Sequence, residues 1–373
     1  MKAVGLILSN IHDKNIPELT SIRSIGSVPF GGRYRLIDFA LSNMVNSGIT
    51  SVGIITKSNY QSLMDHVGSG KEWDLVRKNG GLFMLPPFSD NQDEVYETRL
   101  QALNNVMNFL CRTPHELVVL SDSDMVLNID IDKVIDYHIE KNADVTCVYK
   151  EMVLDGDEGR LVSVIKTNVD GKVVDIKTAK PEKAVKAKSV INIWVFNRML
   201  LINLIKETLS RESRADFDLD LIGKNLNKIN VVGYAFEGYF AWITSLSRYF
   251  KHNMDLLDKK VRDDLFNQKY MAVYTKVKDS PPTSYRANAQ VKNSFVADGC
   301  VIDGYVENSI IFRGVTVGRG CVIKNSILMQ DTIVLDNAQL NCVIADKNVV
   351  IKSGRNLSGC ENMPFYIGKN SIV

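Results

Sequence analysis

The sequence lacks the features that mark several classes of protein. No apolar run reaches the roughly 18 residues of a membrane-spanning helix. The start, Met1–Ser9, has one cation and too short an apolar stretch for a secretory signal. The formal net charge is only +2, which argues against nucleic-acid binders and membrane-surface binders. We therefore expect a cytoplasmic protein.

Metal-ligand patterns are missing as well. None of the six cysteines forms a C-x-x-C pair, and the five histidines are scattered without metal-ligand spacing. In a cytosolic chain, such cysteines are typically buried thiols that pack as small apolar residues. The sequence therefore predicts no zinc centre.

The composition is that of a globular protein, and the length predicts more than one domain. The chain has 373 residues, of which 45% are hydrophobic, whereas a single core rarely grows past roughly 250–300 residues. In the first half, short apolar runs of strand length alternate with helical patterns. The predicted strands are Val4–Ser9, Ser51–Thr56, Leu117–Leu120 and Val145–Tyr149, and the predicted helices include Arg35–Ser47 and Val95–Cys111.

This alternation favours an α/β fold with a doubly wound, mostly parallel sheet covered by helices on both faces. Ligands of such sheets bind beyond the carboxyl ends of the strands. The loops that follow Leu8, Thr56 and Leu120 are therefore where we expect a site.

After the turn-rich junction Asp279–Thr283 the chain changes character. Apolar residues recur every six positions in two phases, a period that matches neither a helix nor a strand. It is typical of a parallel β-helix, whose stacked coils form one apolar column; an ordinary β-sandwich is the alternative. The two phases are Ile311, Val317, Ile323, Met329 and Leu335, and Val315, Cys321, Ile327 and Ile333.

Residues 28–49 read V-P-F-G-G-R-Y-R-L-I-D-F-A-L-S-N-M-V-N-S-G-I, and this stretch closely resembles the glucose-1-phosphate adenylyltransferase family. Gly238–Leu257 resembles the segment that closes the catalytic domain of that family. The resemblance implies a nucleotidyltransferase domain over residues 1–255, a linker over 256–279 and a left-handed β-helix over 280–373. It also implies a reaction of ATP with glucose 1-phosphate that gives ADP-glucose and pyrophosphate.

The chemistry of that family needs a glycine-rich phosphate loop, and this chain departs from it. Active relatives have G-G-x-G-T-R after the first strand, where Asn10–Asn15 stands here, and a later lysine, where Ile25 stands. Side chains at Asn10, Ile11 and Asp13 would fill space that the phosphates need, and Asp13 would repel a triphosphate.

The carboxylates that hold the metal in active relatives are also replaced. Ser123 and Trp242 stand at the two aspartate positions. Asp122 and Asp124 flank Ser123, but neighbours one apart on a strand point in different directions, so we expect solvated loop carboxylates. The resemblance therefore implies no metal and no cofactor bound by this chain.

The contacts to the nucleotide and the sugar are mostly lost. Thr98-Arg99-Leu100 stands at the G-T-A triad near the adenine, and Asp216–Asp220 lacks the lysine of the D-F-G-K-D segment. Of the E-K-P motif at the sugar phosphate, Lys180 and Pro181 remain. Lys180 is thus a candidate residual substrate contact, although a solvated loop lysine is the plainer interpretation.

Relatives also bind sugar-phosphate effectors at a cationic site between their two domains. Arg23 and Arg35 stand at two arginine positions of that site, whereas Ile22 and Pro29 replace a lysine and a histidine. Arg23 and Arg35 are candidate effector ligands, with structural salt bridges as the alternative.

The framework motif is kept while the chemical positions are replaced, as in the non-catalytic GlgD-type subunits of this family. The resemblance implies a regulatory subunit in a hetero-oligomer, expected to be a tetramer, with a catalytic glucose-1-phosphate adenylyltransferase that uses Mg²⁺. Two alternatives stay open: an active nucleotidyltransferase with a rearranged site, and a stand-alone sugar-phosphate sensor. A hexapeptide-repeat acyltransferase is disfavoured, because such enzymes use a histidine in the coils and none follows His252.

Overall fold

A computed structural model describes residues 3–87, 96–154, 161–180 and 184–373. The first part of the chain alternates strands and helices as the apolar runs predict. Its strands are β1 (Ala3–Leu8), β2 (Pro29–Phe30), β3 (Tyr34–Arg35), β4 (Ser51–Ile55), β5 (Gly81–Leu85), β6 (Leu117–Asp122), β7 (Met125–Val126), β8 (Val145–Leu154), β9 (Val162–Thr167), β10 (Val173–Ala179), β11 (Val185–Asn197), β12 (Val231–Ala235) and β13 (Ala241–Trp242).

Helices pack around these strands. The α-helices are α1 (Pro17–Thr20), α2 (Leu36–Asn46), α3 (Gln61–Val67), α4 (Arg99–Asn105), α5 (Met107–Arg112), α6 (Ile131–Glu140), α7 (Arg198–Arg211), α8 (Leu246–Asp255) and α9 (Lys259–Phe266), with a π-helical turn at Phe217–Ile222. The helix predicted at Val95–Cys111 is divided in two at Val106, and Val95 lies outside the described residues. No described helix is long and apolar enough to cross a membrane.

The central sheet confirms the predicted doubly wound class. Its order is β10-β9-β11-β6-β1-β4-β5, with β8 on β11 and β12 on β8. Strands β6, β1, β4 and β5 are parallel, whereas β11 runs antiparallel to β6. Strands β1, β4 and β6 are buried along their whole length, which explains their continuous apolar runs, whereas Phe83 of the edge strand β5 is 39% exposed. Two apolar clusters pack on the two faces of the sheet.

The C-terminal part is a parallel β-helix of three five-stranded sheets, named here faces A, B and C. Face A is β14 (Ser284–Tyr285), β17 (Val301–Ile302), β20 (Thr316–Val317), β23 (Ile333–Val334) and β26 (Val350–Ile351). Face B is β15 (Gln290–Lys292), β18 (Tyr305–Glu307), β21 (Val322–Lys324), β24 (Gln339–Asn341) and β27 (Asn356–Ser358). Face C is β16 (Phe295–Val296), β19 (Ile310–Ile311), β22 (Ile327–Leu328), β25 (Val343–Ala345) and β28 (Phe365–Ile367).

The predicted six-residue period fails from Ile327 onwards, because Ile327 and Met329 are buried in the cluster shared with the first domain and not in the apolar column. Val317 pairs with Val334, 17 positions later, and both are buried in the apolar column. A coil of 17 residues is one residue shorter than three periods of six, so the pattern slips. Ile333 and Leu335, predicted to be in the column, are instead 39% and 41% exposed.

Face C joins the two parts of the chain. Its outward ladder Ile310, Ile327 and Ile344 is buried in one cluster with Phe39 and Tyr249 of the first domain. The segment 256–279, predicted as a linker, contains α9, whose Leu265 is buried in the same cluster. The cleft between the domains is therefore built on a shared apolar base.

Candidate functional site

A pocket, named here the first-domain pocket, lies beside the loop that follows β1, where the topology predicts a site. Its cavity volume is about 290 Å³, and its lining includes Ile11, His12, Arg99, Phe217, Asp218 and Trp242. This size lies at the lower limit of small-molecule sites, about 300 Å³. Which ligands this pocket can bind depends on whether the charged side chains at its edge are already paired with other groups of the chain.

The segment that replaces a phosphate loop is closed on itself. Asn10 Nδ2 donates to Asp13 Oδ2 at 2.8 Å, and the backbone N–H of Ile25 donates to Asp13 Oδ1 at 2.8 Å. Asn10 Oδ1 in turn accepts from the backbone N–H of Lys57 at 3.1 Å. Burial raises the pKa of the Asp13 carboxyl to about 6. Two backbone donors beside this segment, the N–H groups of Ile25 and Lys57, are thus used internally.

The carboxylates beside Ser123 are buried, which corrects the expectation of solvated loop residues. Asp122 is 2% exposed and Asp124 is 0% exposed. The chain bends between β6 and β7, so the strand alternation does not apply across Ser123. His12 Nε2 lies 3.0 Å from Asp122 Oδ2 and 3.8 Å from Asp124 Oδ2. Among the described residues, these three form a group with metal-ligand spacing.

Arg99, the first residue of α4, lies between two of the carboxylates. Its Nη2 donates to Asp122 Oδ2 at 2.5 Å, and its Nη1 is 3.9 Å from Asp218 Oδ1. The guanidinium also stacks over Phe217, 5.0 Å from the ring centroid. Burial alone would lower the pKa of Arg99, but Asp122 and Asp218 outweigh it and raise the pKa. The pocket therefore contains a firmly charged cation of the chain's own.

A second pocket, named here the interdomain pocket, lies between the first domain and the β-helix. Its cavity volume is only about 40 Å³, and it is lined by six cationic side chains, with no carboxylate among its described lining residues. Burial, together with Arg35 and Arg23, lowers the pKa of Lys347 to about 7. The six cations are Arg33, Arg35, Lys276, Lys278, Arg313 and Lys347.

The structure separates the predicted site residues. Arg35 lines the interdomain pocket and donates from Nη1 to the Ser62 hydroxyl at 3.0 Å. Arg23, 3% exposed, does not line it, and its Nη2 donates to Asp346 Oδ2 at 2.6 Å. Lys180 is exposed at the end of β10 and lines neither pocket, while Pro181 lies outside the described residues.

Four residues that line or border these pockets, His12, Asp122, Arg99 and Lys347, were not predicted as site residues from the sequence. His12 and Asp122 are 110 positions apart, so no local spacing indicates their contact. In the sequence Arg99 only marks the loss of the G-T-A triad, because the carboxylates that it faces, Asp122 and Asp218, lie in other segments of the chain. Lys347 follows the end of a coil strand and carries no motif signal, although its neighbour Asp346 pairs with a residue 323 positions away.

Comparison with known proteins gives a consistent result. A model of the nucleotidyl transferase family matches residues 7–259. A model of the GlmU-like C-terminal hexapeptide matches residues 281–361, in agreement with a left-handed β-helix.

Two curated relatives align over nearly the whole chain. "Glycogen biosynthesis protein GlgD" of Bacillus subtilis (strain 168) is 36% identical over 99% of this chain and 96% of its own length. "Glucose-1-phosphate adenylyltransferase" of Bacillus mycoides (strain KBAB4) is 32% identical over 95% of this chain and 94% of its own.

Proposed function

The chain belongs to the nucleotidyl transferase family, and from this premise we propose that it is a non-catalytic, regulatory GlgD-type subunit of a cytoplasmic glucose-1-phosphate adenylyltransferase in glycogen biosynthesis. The catalytic partner would join ATP and glucose 1-phosphate and would use Mg²⁺. This chain would bind no cofactor of its own.

The internal pairing of the polar groups at the first-domain pocket is the observation that carries the proposal. A triphosphate needs backbone donors and cations, but Asp13 takes the Ile25 N–H and Asp122 takes the Arg99 guanidinium. Losing a single charge-stabilising donor typically costs about 10²–10³ in rate. The replacement of both metal carboxylates, at Ser123 and Trp242, removes far more.

A surface on the β-helix supports assembly with a partner. Face C is covered by the first domain, and face B presents charged side chains such as Lys292, Glu307 and Lys324. Face A instead presents an uncharged ladder, in which β-branched residues pair from coil to coil and Ile333 is 39% exposed. A flat, uncharged face of this kind fits the corresponding face of a second β-helix. The ladder is Val301, Thr316, Ile333 and Val350.

The interdomain pocket supports the effector proposal. Six cations around a small volume favour a phosphorylated ligand, because their mutual repulsion is relieved by an anion. Arg35 would contact a sugar-phosphate effector directly. Arg23 would act indirectly. Its ion pair with Asp346 neutralises a carboxylate next to Lys347 and so keeps the pocket positively charged.

Co-expression with a catalytic homologue from the same genome tests the proposal. We expect a stable mixed oligomer, with tetramer stoichiometry, whose turnover or effector response differs from that of the catalytic subunit alone. A subunit without chemistry acts by favouring one conformation of its neighbour, typically with a coupling of about 1–3 kcal/mol. The isolated chain should make no ADP-glucose.

Variants on two faces of the β-helix test which face forms the interface with the partner subunit. Ile333→Glu on face A should weaken the mixed oligomer, whereas Gln339→Glu on face B is the matched control and should leave it intact. Separate peaks in size-exclusion chromatography, with unchanged kinetics on mixing, would refute the partner assignment. The cationic interdomain pocket would then favour the second candidate, a stand-alone sugar-phosphate sensor.

A further inference from the structure

The amine of Lys347 lies in the interdomain pocket among cations and without a carboxylate partner. The neighbouring carboxylate, Asp346, uses Oδ2 to accept from Arg23 at 2.6 Å and from the Tyr366 hydroxyl at 3.0 Å. Its Oδ1 accepts from the backbone N–H of Lys347 at 2.7 Å. Among the residues that the structure describes, no carboxylate forms an ion pair with the Lys347 amine. This amine therefore has cationic neighbours and no anion in contact with it.

This environment makes Lys347 a nucleophile at neutral pH. Burial, with repulsion from Arg35, Arg23 and Lys278, lowers its pKa to about 7, and the opposite effect of Asp346 does not cancel this. At pH 8 the amine is thus roughly nine-tenths neutral, whereas a lysine with the ordinary pKa of 10.5 is neutral to about 0.3%. A neutral amine has a lone pair to donate, and burial or a neighbouring cation activates lysine in this way. The side chain is partly exposed, so a reagent in the pocket can reach it.

The pocket around the amine fits a phosphoryl group. Its cavity volume is about 40 Å³, and because one water needs roughly 10–15 Å³, it has room for roughly three groups of that size, as many as the terminal oxygens of a phosphoryl group. Arg33 and Arg35 line the pocket with guanidinium groups, which bind phosphate oxygens in pairs. Burial lowers the pKa of Arg35 only to about 10, so this guanidinium stays charged at pH 8. The phosphate is therefore held by cations other than Lys347, whose amine can remain neutral.

We propose that Lys347 is a site of covalent acylation by acyl phosphates, which the cations of the interdomain pocket bind through the phosphoryl group. The Nζ lone pair forms a bond to the acyl carbon, the bond from that carbon to the bridging oxygen breaks, and phosphate leaves with the electron pair. The amine proton passes to the phosphate or to water, and no oxidant or reductant is needed. The amide product is neutral and larger than the amine, so the modified pocket binds anions more weakly. The proposal rests on the anion-binding pocket of the proposed function and adds a covalent modification that weakens it.

Mass spectrometry of the full chain after incubation with acetyl phosphate tests the proposal. The reaction is run at pH 8, because a bound phosphate raises the pKa of the amine. We expect acetylation of Lys347 to be about tenfold faster than that of Lys292, an exposed lysine on face B, since a larger neutral fraction outweighs the lower nucleophilicity of a weaker base. Sulfate, which can occupy the pocket without acylating it, should slow the reaction of Lys347 and leave that of Lys292 unchanged. The N-hydroxysuccinimide ester of acetic acid, which has no phosphoryl group, should show a smaller preference for Lys347.

Two variants test whether the pocket directs the reaction. Lys278→Met removes a cation that lines the pocket and helps to lower the pKa of Lys347, so acetylation of Lys347 should slow several-fold. Lys292→Met, on face B, is the matched control and should leave the rate at Lys347 unchanged. Calorimetry of the acetylated chain should show a sulfate affinity reduced about tenfold or more, because a charged donor is lost.

Each outcome decides the proposal. Equal rates at Lys347 and Lys292, or an equal preference with the succinimide ester, would overturn it, and so would a rate at Lys347 that neither sulfate nor Lys278→Met reduces. A native chain that binds sulfate but is not selectively acetylated would reject the acylation and leave the effector pocket of the proposed function intact. A native chain that binds no sulfate would contradict the effector pocket itself, and the phosphoryl-guided acylation with it.

Discussion

The two pockets of this molecule treat charge in opposite ways. In the first-domain pocket charged groups pair with groups of the chain itself: Asp13 accepts from Asn10 and from the Ile25 N–H, and Arg99 donates to Asp122. The interdomain pocket collects six cations, of which Arg313 pairs with Asp298, and lowers the pKa of another, Lys347, to about 7. A pocket with compensated charge gains little from an ionic ligand, whereas a pocket with an excess gains much. This difference supports our proposal that ligands would control this chain at the interdomain pocket.

The largest effect is expected from removing the ion pair between Arg23 and Asp346, which lies behind the interdomain pocket. Arg23→Ala leaves the Asp346 carboxylate buried without its cation, and we expect a loss of about 3–5 kcal/mol in the free energy of unfolding. Urea unfolding of the full chain measures it. Arg77→Ala, from an ion pair at the surface, should cost about 0–1 kcal/mol. Equal costs for the two variants would show that Arg23 does not brace the domains.

A smaller effect is expected from the pH dependence of anion binding in the same pocket. The pKa of Lys347 is lowered from 10.5 to about 7, so without a ligand the amine is mostly neutral above pH 7 and charged below it. An anion favours the charged form and raises the pKa, so affinity should increase as pH falls. From pH 8 to 6.5 the increase should be on the order of tenfold.

Sulfate is the suitable probe, because it remains a dianion over this range whereas a phosphate monoester titrates. Burial lowers the pKa of His66, another lining residue, so its imidazole stays largely neutral in the same window. Calorimetry on the native chain and on Lys347→Met should show the pH dependence only in the former. A pH-independent native affinity, or an unchanged dependence in Lys347→Met, would contradict the role of this amine.

A variant of Arg35 distinguishes between two roles of this residue in the mixed oligomer: binding of an effector and stabilisation of the subunit interface. The Arg35 guanidinium lines the interdomain pocket and also bonds the Ser62 hydroxyl, so either role is open to it. Arg35→Ala should reduce the response to a sugar phosphate while the oligomer stays intact in size-exclusion chromatography. Loss of the oligomer itself would assign Arg35 to bracing instead.

The sequence predicted the fold well because the fold follows from local periodicity. Buried parallel strands such as β1 and β4 are continuous apolar runs, and the coils repeat their apolar positions. The repeat misplaced Ile333 because a coil of 17 residues slips against a period of six. The first-domain site was predicted mainly as a set of lost motifs, with Lys180 as a candidate retained contact. In place of the lost motifs, Arg99 and His12 contact Asp122. These contacts join residues that are 23 and 110 positions apart, and no sequence pattern marks them.

The smallest expected effect is on catalysis when the metal carboxylates alone are restored. Ser123→Asp with Trp242→Asp should still give no measurable ADP-glucose synthesis. The loop Asn10–Asn15 keeps its own hydrogen bonds, Asp13 still holds the Ile25 N–H, and the Arg99 guanidinium still occupies Asp122. Because Trp242 is buried, circular dichroism must first show that the double variant is folded. Turnover within about tenfold of a typical 10 s⁻¹ would show that the loop is no barrier and that the two pockets differ less than their charges indicate.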